Sequence, residues 1–271
     1  MDWNKTKTIF IIVFSILNVF LYSLYLDRYT ESKNTEVLSE SSVEEKMKGD
    51  EITYSNLPEV VESMPYIRGE TKLLTAKEAP QENVQVNIQD GKQLQVAYEA
   101  PVSLTGEEES AETLTTFVEE NVYEGASYEL WEIDEEQNKA VFFQSFDGET
   151  LYLSKDGKLT VYWDNAGNIV RYEQTMFTDI IENEEPKELV SAIRAVHTLY
   201  QKNMLERELA ITKAELGYSA HVQVSENRHM FVPTWHIQAE LSDGSRQDFF
   251  VNAVKDGVIE LNKQKEEEEE E

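Results

Sequence analysis

The pattern of apolar and polar positions changes most sharply near the start of the chain, where residues 8–26 read TIFIIVFSILNVFLYSLYL. No charged side chain interrupts this stretch, and thirteen of its nineteen residues are Leu, Ile, Val or Phe. A helix of that length rises about 28 Å, close to the bilayer's hydrocarbon core at about 30 Å. The thirteen side chains contribute roughly −4 to −8 kcal/mol to insertion, which Asn18 alone does not reverse. The pattern predicts a transmembrane helix at 8–26.

A cleaved signal peptide is the main alternative for this segment. Its apolar region normally has about 7–15 residues and ends in a small-x-small cleavage site. Residues 22–27 read YSLYLD and offer neither such a site nor a cysteine that could carry a lipid. We therefore predict an uncleaved anchor. Lys5 and Lys7 before it nearly balance Arg28 and Lys33 after it, so the positive-inside rule favours a cytoplasmic N-terminus 1–7 only slightly.

One face of the predicted helix carries polar and aromatic side chains. Ser15, Asn18, Tyr22 and Tyr25 follow one another at spacings of 3, 4 and 3, which places them on the same side. A polar side chain in lipid gains about 0.6–2 kcal/mol by hydrogen bonding to a neighbouring helix. The face is either a contact for a partner helix or an interfacial tyrosine belt with a tolerated Asn18.

Residues 27–52 are predicted to be a flexible linker. From 30 to 52 they are polar, rich in Ser and Glu, and free of aromatic side chains, a composition that does not build a core. A helical continuation of the anchor is the alternative. The remainder is divided into a first unit at 53–182, a second unit at 183–263 and a disordered acidic tail at 264–271.

The first unit begins with a weak pattern of loops from 51 to 81 and then alternates between strands and turns. A hairpin is predicted around Asp90-Gly91, since this pair suits positive backbone φ angles. A helix is predicted at 107–121, with an apolar stripe of Leu114, Phe117 and Val118. The strands of a meander should follow near 127–133, 139–146, 150–154, 158–163 and 169–177.

The second unit repeats this order. A helix is predicted at 186–205 because Pro186 suits a first turn and apolar residues recur every three or four positions. Strands should follow near 209–224, 229–241, 246–254 and 258–261. The expected fold class is α+β, with the body's helices packed on antiparallel β-sheets in two helix-plus-meander units.

Charge narrows the possible functions. The chain has a formal net charge of −29, so its surface repels nucleic acid and anionic lipid. This excludes nucleic-acid binding. The absence of cysteine fits an extracytoplasmic protein that needs no disulfide, although the indication is weak.

The sequence contains no recognisable catalytic pattern. Neither a nucleophile elbow nor a phosphate-binding glycine loop is present, and the histidines do not form a zinc-protease motif. His221, His229 and His236 could meet at a metal only if neighbouring strands aligned them. We therefore assign no catalytic, cofactor-binding or metal-binding residue, and expect no enzyme activity and no cofactor.

Two stretches near the C-terminus stand out, at 232–237 and 249–260. Pro233 within a predicted strand points to a sheet edge or a bulge. These stretches are either ordinary sheet core and turn, or a groove beside an unpaired edge that accepts a partner segment.

The opening MDWNKTKTIFIIVF, followed by one apolar helix and a β-rich acidic body, resembles the YycI (WalI) family of Gram-positive bacteria. The stretches 232–237 and 249–260 are similar to the C-terminal part of that family. The resemblance implies a single-pass protein with a cytoplasmic N-terminus, an extracytoplasmic body and no known catalytic residues. It also implies an accessory role with the YycH protein at the WalK (YycG) sensor kinase, which controls cell-wall metabolism with WalR.

A mechanism by contact follows from that resemblance. An accessory helix that binds one arrangement of the kinase helices more tightly shifts their populations, by tenfold for about 1.4 kcal/mol. We expect Ser15, Asn18, Tyr22 and Tyr25 to form this contact. The alternatives are an extracytoplasmic module that senses a ligand or wall fragment, and a hydrolase, which the missing catalytic pattern disfavours.

Overall fold

A computed structural model describes residues 43–54, 57–58, 63–80, 82–104, 111–225 and 227–259, with residue 7 and most positions from 10 to 22. The described residues from 7 to 22 are all helical. Within the described part of the chain, no helix has both the length and the apolarity needed to cross a membrane. The acidic tail at 264–271 lies outside the described residues.

The helices and strands of the body follow one another in this order: α1 (43–49), β1 (Thr53–Tyr54), β2 (Ser63–Met64), β3 (Ile67–Thr71), β4 (Val84–Gln89), β5 (Gln93–Ser103), α2 (Ala111–Asn121), β6 (Tyr128–Asp134), β7 (Lys139–Phe146), β8 (Glu149–Tyr152), β9 (Lys158–Trp163), β10 (Asn168–Gln174), β11 (Phe177–Glu182), β12 (Lys187–Glu188), α3 (Ala192–Gln201), β13 (Ala210–Ser225), β14 (Arg228–Glu240), β15 (Arg246–Asn252) and β16 (Gly257–Ile259). This is a mixed α+β fold with a large, mostly antiparallel sheet.

The first half of the sheet is antiparallel, with strand order β4, β5, β10, β9, β7, β6. Helix α2 buries Leu114, Phe117 and Val118 against it, as the apolar stripe predicts. The turn at Asp90-Gly91 has φ angles of 52° and 69°, which confirms the predicted positive-φ hairpin. We call this cluster the first core; it centres on Leu94, Leu114, Phe142, Leu159, Val161 and Tyr172.

The second half has strand order β11, β3, β14, β13, and β15 also pairs with β14. Helix α3 packs on this half and begins at Ser191, whose side chain accepts a hydrogen bond from the Arg194 N–H at 3.3 Å. The predicted start at Pro186 is therefore wrong, because the next two residues pair with β2 instead. We call this cluster the second core; it centres on Ile67, Ala195, Leu199, Phe231, Trp235 and Val251.

Helix α1 brings the end of the predicted linker into the second core. Val43 and Met47, four positions apart, are 7% and 1% exposed, and Ile52 is also buried. This spacing places two apolar side chains on one helical face, a signal too short to separate from the polar background. Residues 43–52 are thus packed rather than free, and the chain enters the body beside α3.

The two halves join through a narrow set of contacts. β8 forms a hairpin with β7 of the first half and a parallel pair with β13 of the second. Gly217 on β13 lies under the Tyr152 ring, so close that a β-carbon there would approach the ring to 2.4 Å. Gln144 on β7 also holds the Phe177 backbone, accepting its N–H at 2.7 Å and donating to its carbonyl at 3.1 Å. The predicted division into 53–182 and 183–263 stays a prediction, since the strand network continues across it.

Candidate functional site

The helical N-terminal residues expose large apolar side chains. Phe10, Phe14 and Tyr22 are 72%, 63% and 64% exposed. Ser15, Asn18 and Tyr22 of the predicted contact face are helical and exposed, whereas Tyr25 lies outside the described residues. A continuous apolar surface of this kind is typical of contact with lipid or with another protein.

His229 on β14 forms one of two histidine–carboxylate pairs in the body. Its Nε2 lies 2.9 Å from the carboxylate of Asp156, which also accepts a hydrogen bond from Thr71 at 3.1 Å. The hydrogen bond with His229 lowers the pKa of Asp156 from its ordinary value, although partial burial opposes the shift. Asp156 precedes β9 of the first half, so this pair links the two halves.

A cleft of about 570 Å³ adjoins that pair. Its wall carries Arg68, Asp179 and the ion pair between Arg228 and Glu70, whose atoms are 2.7 Å apart. Both charge signs are present on this wall, and its described lining contains no Trp, Tyr or Phe side chain on which a ligand ring could pack.

His236 forms the second pair, in a cleft between the halves. Its Nε2 lies 2.6 Å from the carboxylate of Asp248 on β15. Burial acts to raise the pKa of Asp248, but the hydrogen bond and charge of His236 outweigh it, so the pKa is lowered. The Asp248 carboxylate is therefore ionised near neutral pH.

Aromatic side chains from both halves surround His236. The Trp131 ring of β6 lies 4.8 Å from it, and the Phe250 ring stacks on it at 5.1 Å with an interplanar angle of 13°. The space beside them measures about 580 Å³ and is also lined by Lys213, Gln238 and Arg246, among others. We call this space the Trp131 cleft.

The histidines whose side chains the structure describes do not converge on one point. His229 and His236 lie seven positions apart on one strand, roughly 23 Å at 3.3 Å per residue. His197 is buried on α3, and His221 lies on β13. Across the described residues, no group of three or more His, Cys, Asp or Glu side chains is placed to hold a metal ion.

Of the two interpretations of 232–237, the structure agrees with ordinary sheet core and not with an unpaired edge. β14 lies inside the sheet, with β13 on one side and both β3 and β15 on the other. Pro233 sits where the partner on that side changes, between the β3 pairing that ends at Phe231 and the β15 pairing that starts at Thr234. A residue without an N–H is tolerated there because the ladder is already interrupted.

Comparison with solved structures gives several distant likenesses. The crystal structure of an uncharacterized protein from Eubacterium rectale ATCC 33656 has a TM-score of 0.47 and 11% identity, covering 78% of this chain and 91% of that one. The C-terminal domain of Bacillus megaterium YpeB has a TM-score of 0.43 and 12% identity, covering 82% and 94%. None of the curated proteins matches the chain.

Comparison with protein families gives a match over most of the chain. The model described as "YycI protein" matches residues 31–254. It extends over α1, both cores and the Trp131 cleft, and agrees with the resemblance seen at the N-terminus. The chain belongs to the YycI family, a regulatory accessory family associated with the WalK/WalR two-component system.

Proposed function

We propose that the chain is a non-enzymatic accessory regulator of a WalK-type sensor kinase, anchored by one transmembrane helix at 8–26. In this proposal the N-terminus is cytoplasmic and the body lies outside the membrane, where it acts together with a YycH-type partner. The observation that carries the proposal is the run of exposed apolar side chains on the N-terminal helical residues, in a chain of this family.

Asn18 is the centre of the proposed helix contact. It is exposed on a helix whose neighbours Leu17 and Val19 are apolar and 48% and 69% exposed. An amide surrounded by lipid is costly unless a neighbouring helix supplies a hydrogen-bond partner. Ser15 and Tyr22 lie on the same helical face as Asn18. The spacing of the sequence predicts that Tyr25 continues this face.

The chain enters the body through α1. Val43, Met47 and Ile52 are buried in the second core, and the Asp50 carboxylate accepts a hydrogen bond from Tyr200 on α3 at 2.7 Å. The chain therefore joins the body at a packed point, so a partner held by the body stays close to the membrane helices. Preferential binding to one kinase arrangement then shifts its population.

The test is Asn18→Leu in the full chain, with co-purification of the kinase from membranes as the measurement. Loss of one interhelical hydrogen bond of about 0.6–2 kcal/mol lowers capture roughly 3- to 30-fold. Phe20→Leu is the matched control, because position 20 faces the opposite side of the helix and should leave capture unchanged.

A second measurement locates the face without assuming it. The chain contains no cysteine, so single cysteines placed at 11–25 each provide one crosslinking site. Capture of the kinase should recur every 3.5–3.6 residues and peak at 15, 18, 22 and 25. Equal capture at all positions, together with unchanged binding by Asn18→Leu, would refute the helix contact.

A further inference from the structure

The Trp131 cleft contains a regular arrangement of side chains on one face of three neighbouring strands. In register, Glu215, His236 and Phe250 form one row across β13, β14 and β15. Lys213, Gln238 and Asp248 form the next row on the same face, two positions along each strand. The floor of the cleft thus changes from aromatic to polar over a short distance.

The aromatic end is a rigid platform. His236 is 3% exposed and is enclosed by Trp131, Tyr152 and Phe250, with ring centroids 4.8–5.3 Å from its own. Trp131 itself is only half-buried and lines the cleft. Among the described tryptophans it is the accessible one, since Trp163 and Trp235 are 4% and 2% exposed.

The polar end offers both hydrogen-bond donors and hydrogen-bond acceptors. Asp248 is fixed by His236 and by Gln238, whose amide nitrogen lies 3.4 Å from the same carboxylate oxygen, Oδ1. Lys213 lies near enough to Asp248 to help lower its pKa, and exposed Arg246 stands at the rim. Lys213 is paired with Glu215 at 2.7 Å, so Arg246 is the cation at the rim that faces a ligand in the cleft.

A buried polar atom in the cleft wall is also left without a partner. Within the described part of the chain, Nδ1 of His236 makes no hydrogen bond. An unpaired polar atom inside an aromatic enclosure is costly, and such costs are concentrated at functional positions. The fixed carboxylate, the open tryptophan face and this histidine line one cavity of about 580 Å³, a size that suits a small molecule.

We propose that the Trp131 cleft binds an acidic saccharide, a sugar ring that carries a carboxylate. The apolar face of the ring packs on Trp131, its hydroxyl groups bond to Asp248 and Gln238, and its carboxylate pairs with Arg246. Because Trp131 belongs to the first half and the other groups to the second, the ligand contacts both halves. The site is independent of the membrane contact proposed above.

Titration of the full chain in mild detergent with D-glucuronic acid tests this, with Trp131 fluorescence as the measurement. We expect a saturable change with a dissociation constant on the order of 1 mM, as suits a ligand of this size. Glucose, which lacks the carboxylate, should bind at least about fivefold more weakly. N-acetylmuramic acid is a third probe that distinguishes an amino-sugar source from a uronic-acid source.

Arg246→Gln isolates the charge contact, because Arg246 is exposed and its replacement should leave the fold intact. It should weaken glucuronic acid at least about fivefold and leave glucose unchanged. Arg228→Gln, at the other cleft, is the matched control and should change neither. Trp131→Phe should abolish the ligand-dependent change in tryptophan fluorescence, and calorimetry should then show weakened binding. No saturable binding by either acidic sugar, or equal binding by Arg246→Gln, overturns the proposal.

Discussion

The two cores treat their buried polar groups differently. In the first core, the hydroxyls of Tyr98 and Tyr172 are buried and have no hydrogen-bond partner among the described residues. In the second core, the Trp235 indole donates to the Val190 carbonyl at 2.8 Å, and Ser219 and Thr234 bond to each other at 2.6 Å. In the first core, packing alone holds the rings of Tyr98 and Tyr172, although the Tyr128 hydroxyl of the same core is hydrogen bonded, whereas in the second core these hydrogen bonds hold specific pairs of elements together.

The two cores also differ in how they are connected to the rest of the chain. The second core receives the chain from the N-terminal side through α1 and contains the paired contact between Arg194 and Asp256 at 2.8 Å. The first core meets the second through β7, β8 and the contacts around Gln144, Trp131 and Asp156. A force on the chain at α1 would therefore reach the second core first and the first core through these contacts.

The largest effect on stability should come from shortening one buried leucine side chain in each core, in separate variants. Leu114 on α2 and Leu199 on α3 are both fully buried, so Leu114→Ala and Leu199→Ala should each lower the free energy of unfolding by about 2–5 kcal/mol. Because the strands form one network, we expect a single urea transition in both variants. Trp163 and Trp235 report on the first and second cores respectively.

Leu73→Ala is the control for both variants, since Leu73 is 63% exposed and should change stability by less than about 0.5 kcal/mol. Separate transitions at Trp163 and Trp235 would show that the cores unfold independently. The comparison would then concern two domains rather than two parts of one.

A smaller effect is expected at the junction. Gly217→Ala places a β-carbon 2.4 Å from the Tyr152 ring and 2.7 Å from the Thr150 carbonyl oxygen. Relief of that overlap has to move β8 or β13, at a cost of about 1–3 kcal/mol. Thermal unfolding measures the loss. Gly257→Ala is the matched control, because no atom lies within 4 Å of its added β-carbon; an equal loss in both variants would mean that the junction contact contributes nothing.

Runs of apolar and β-branched residues bounded by turn residues predict several strands well, even where burial does not alternate along the strand. The predicted 139–146 and 158–163 coincide with β7 and β9. β3 is missed because its sequence, IRGET, places Arg68, Gly69 and Glu70 between the buried Ile67 and Thr71. It is a strand only because β11 and β14 pair with both of its edges, a long-range effect that local patterning does not contain.

The Trp131 cleft also escapes prediction from sequence, for a related reason. Trp131, His236 and Asp248 lie on three strands, and their spacing along the chain has no motif. A partial signal exists in Arg246, Asp248 and Phe250, which alternate and therefore share one face of β15. The face is visible in the sequence, but its neighbours depend on the register with β14.

The smallest predicted effect is a difference in stability between two tyrosine variants of the first core. Burial raises the pKa of Tyr98 to about 12, and its hydroxyl gains no hydrogen bond in return. Tyr98→Phe should therefore leave stability unchanged or raise it by up to about 1 kcal/mol. Tyr128 is the matched control, since its hydroxyl donates to the Thr175 carbonyl at 2.6 Å and Tyr128→Phe should cost about 1–2 kcal/mol. Urea unfolding of both variants measures the contrast. A loss for Tyr98→Phe as large as that for Tyr128→Phe would mean that the Tyr98 hydroxyl is paired after all, and that the first core, like the second, depends on its polar groups.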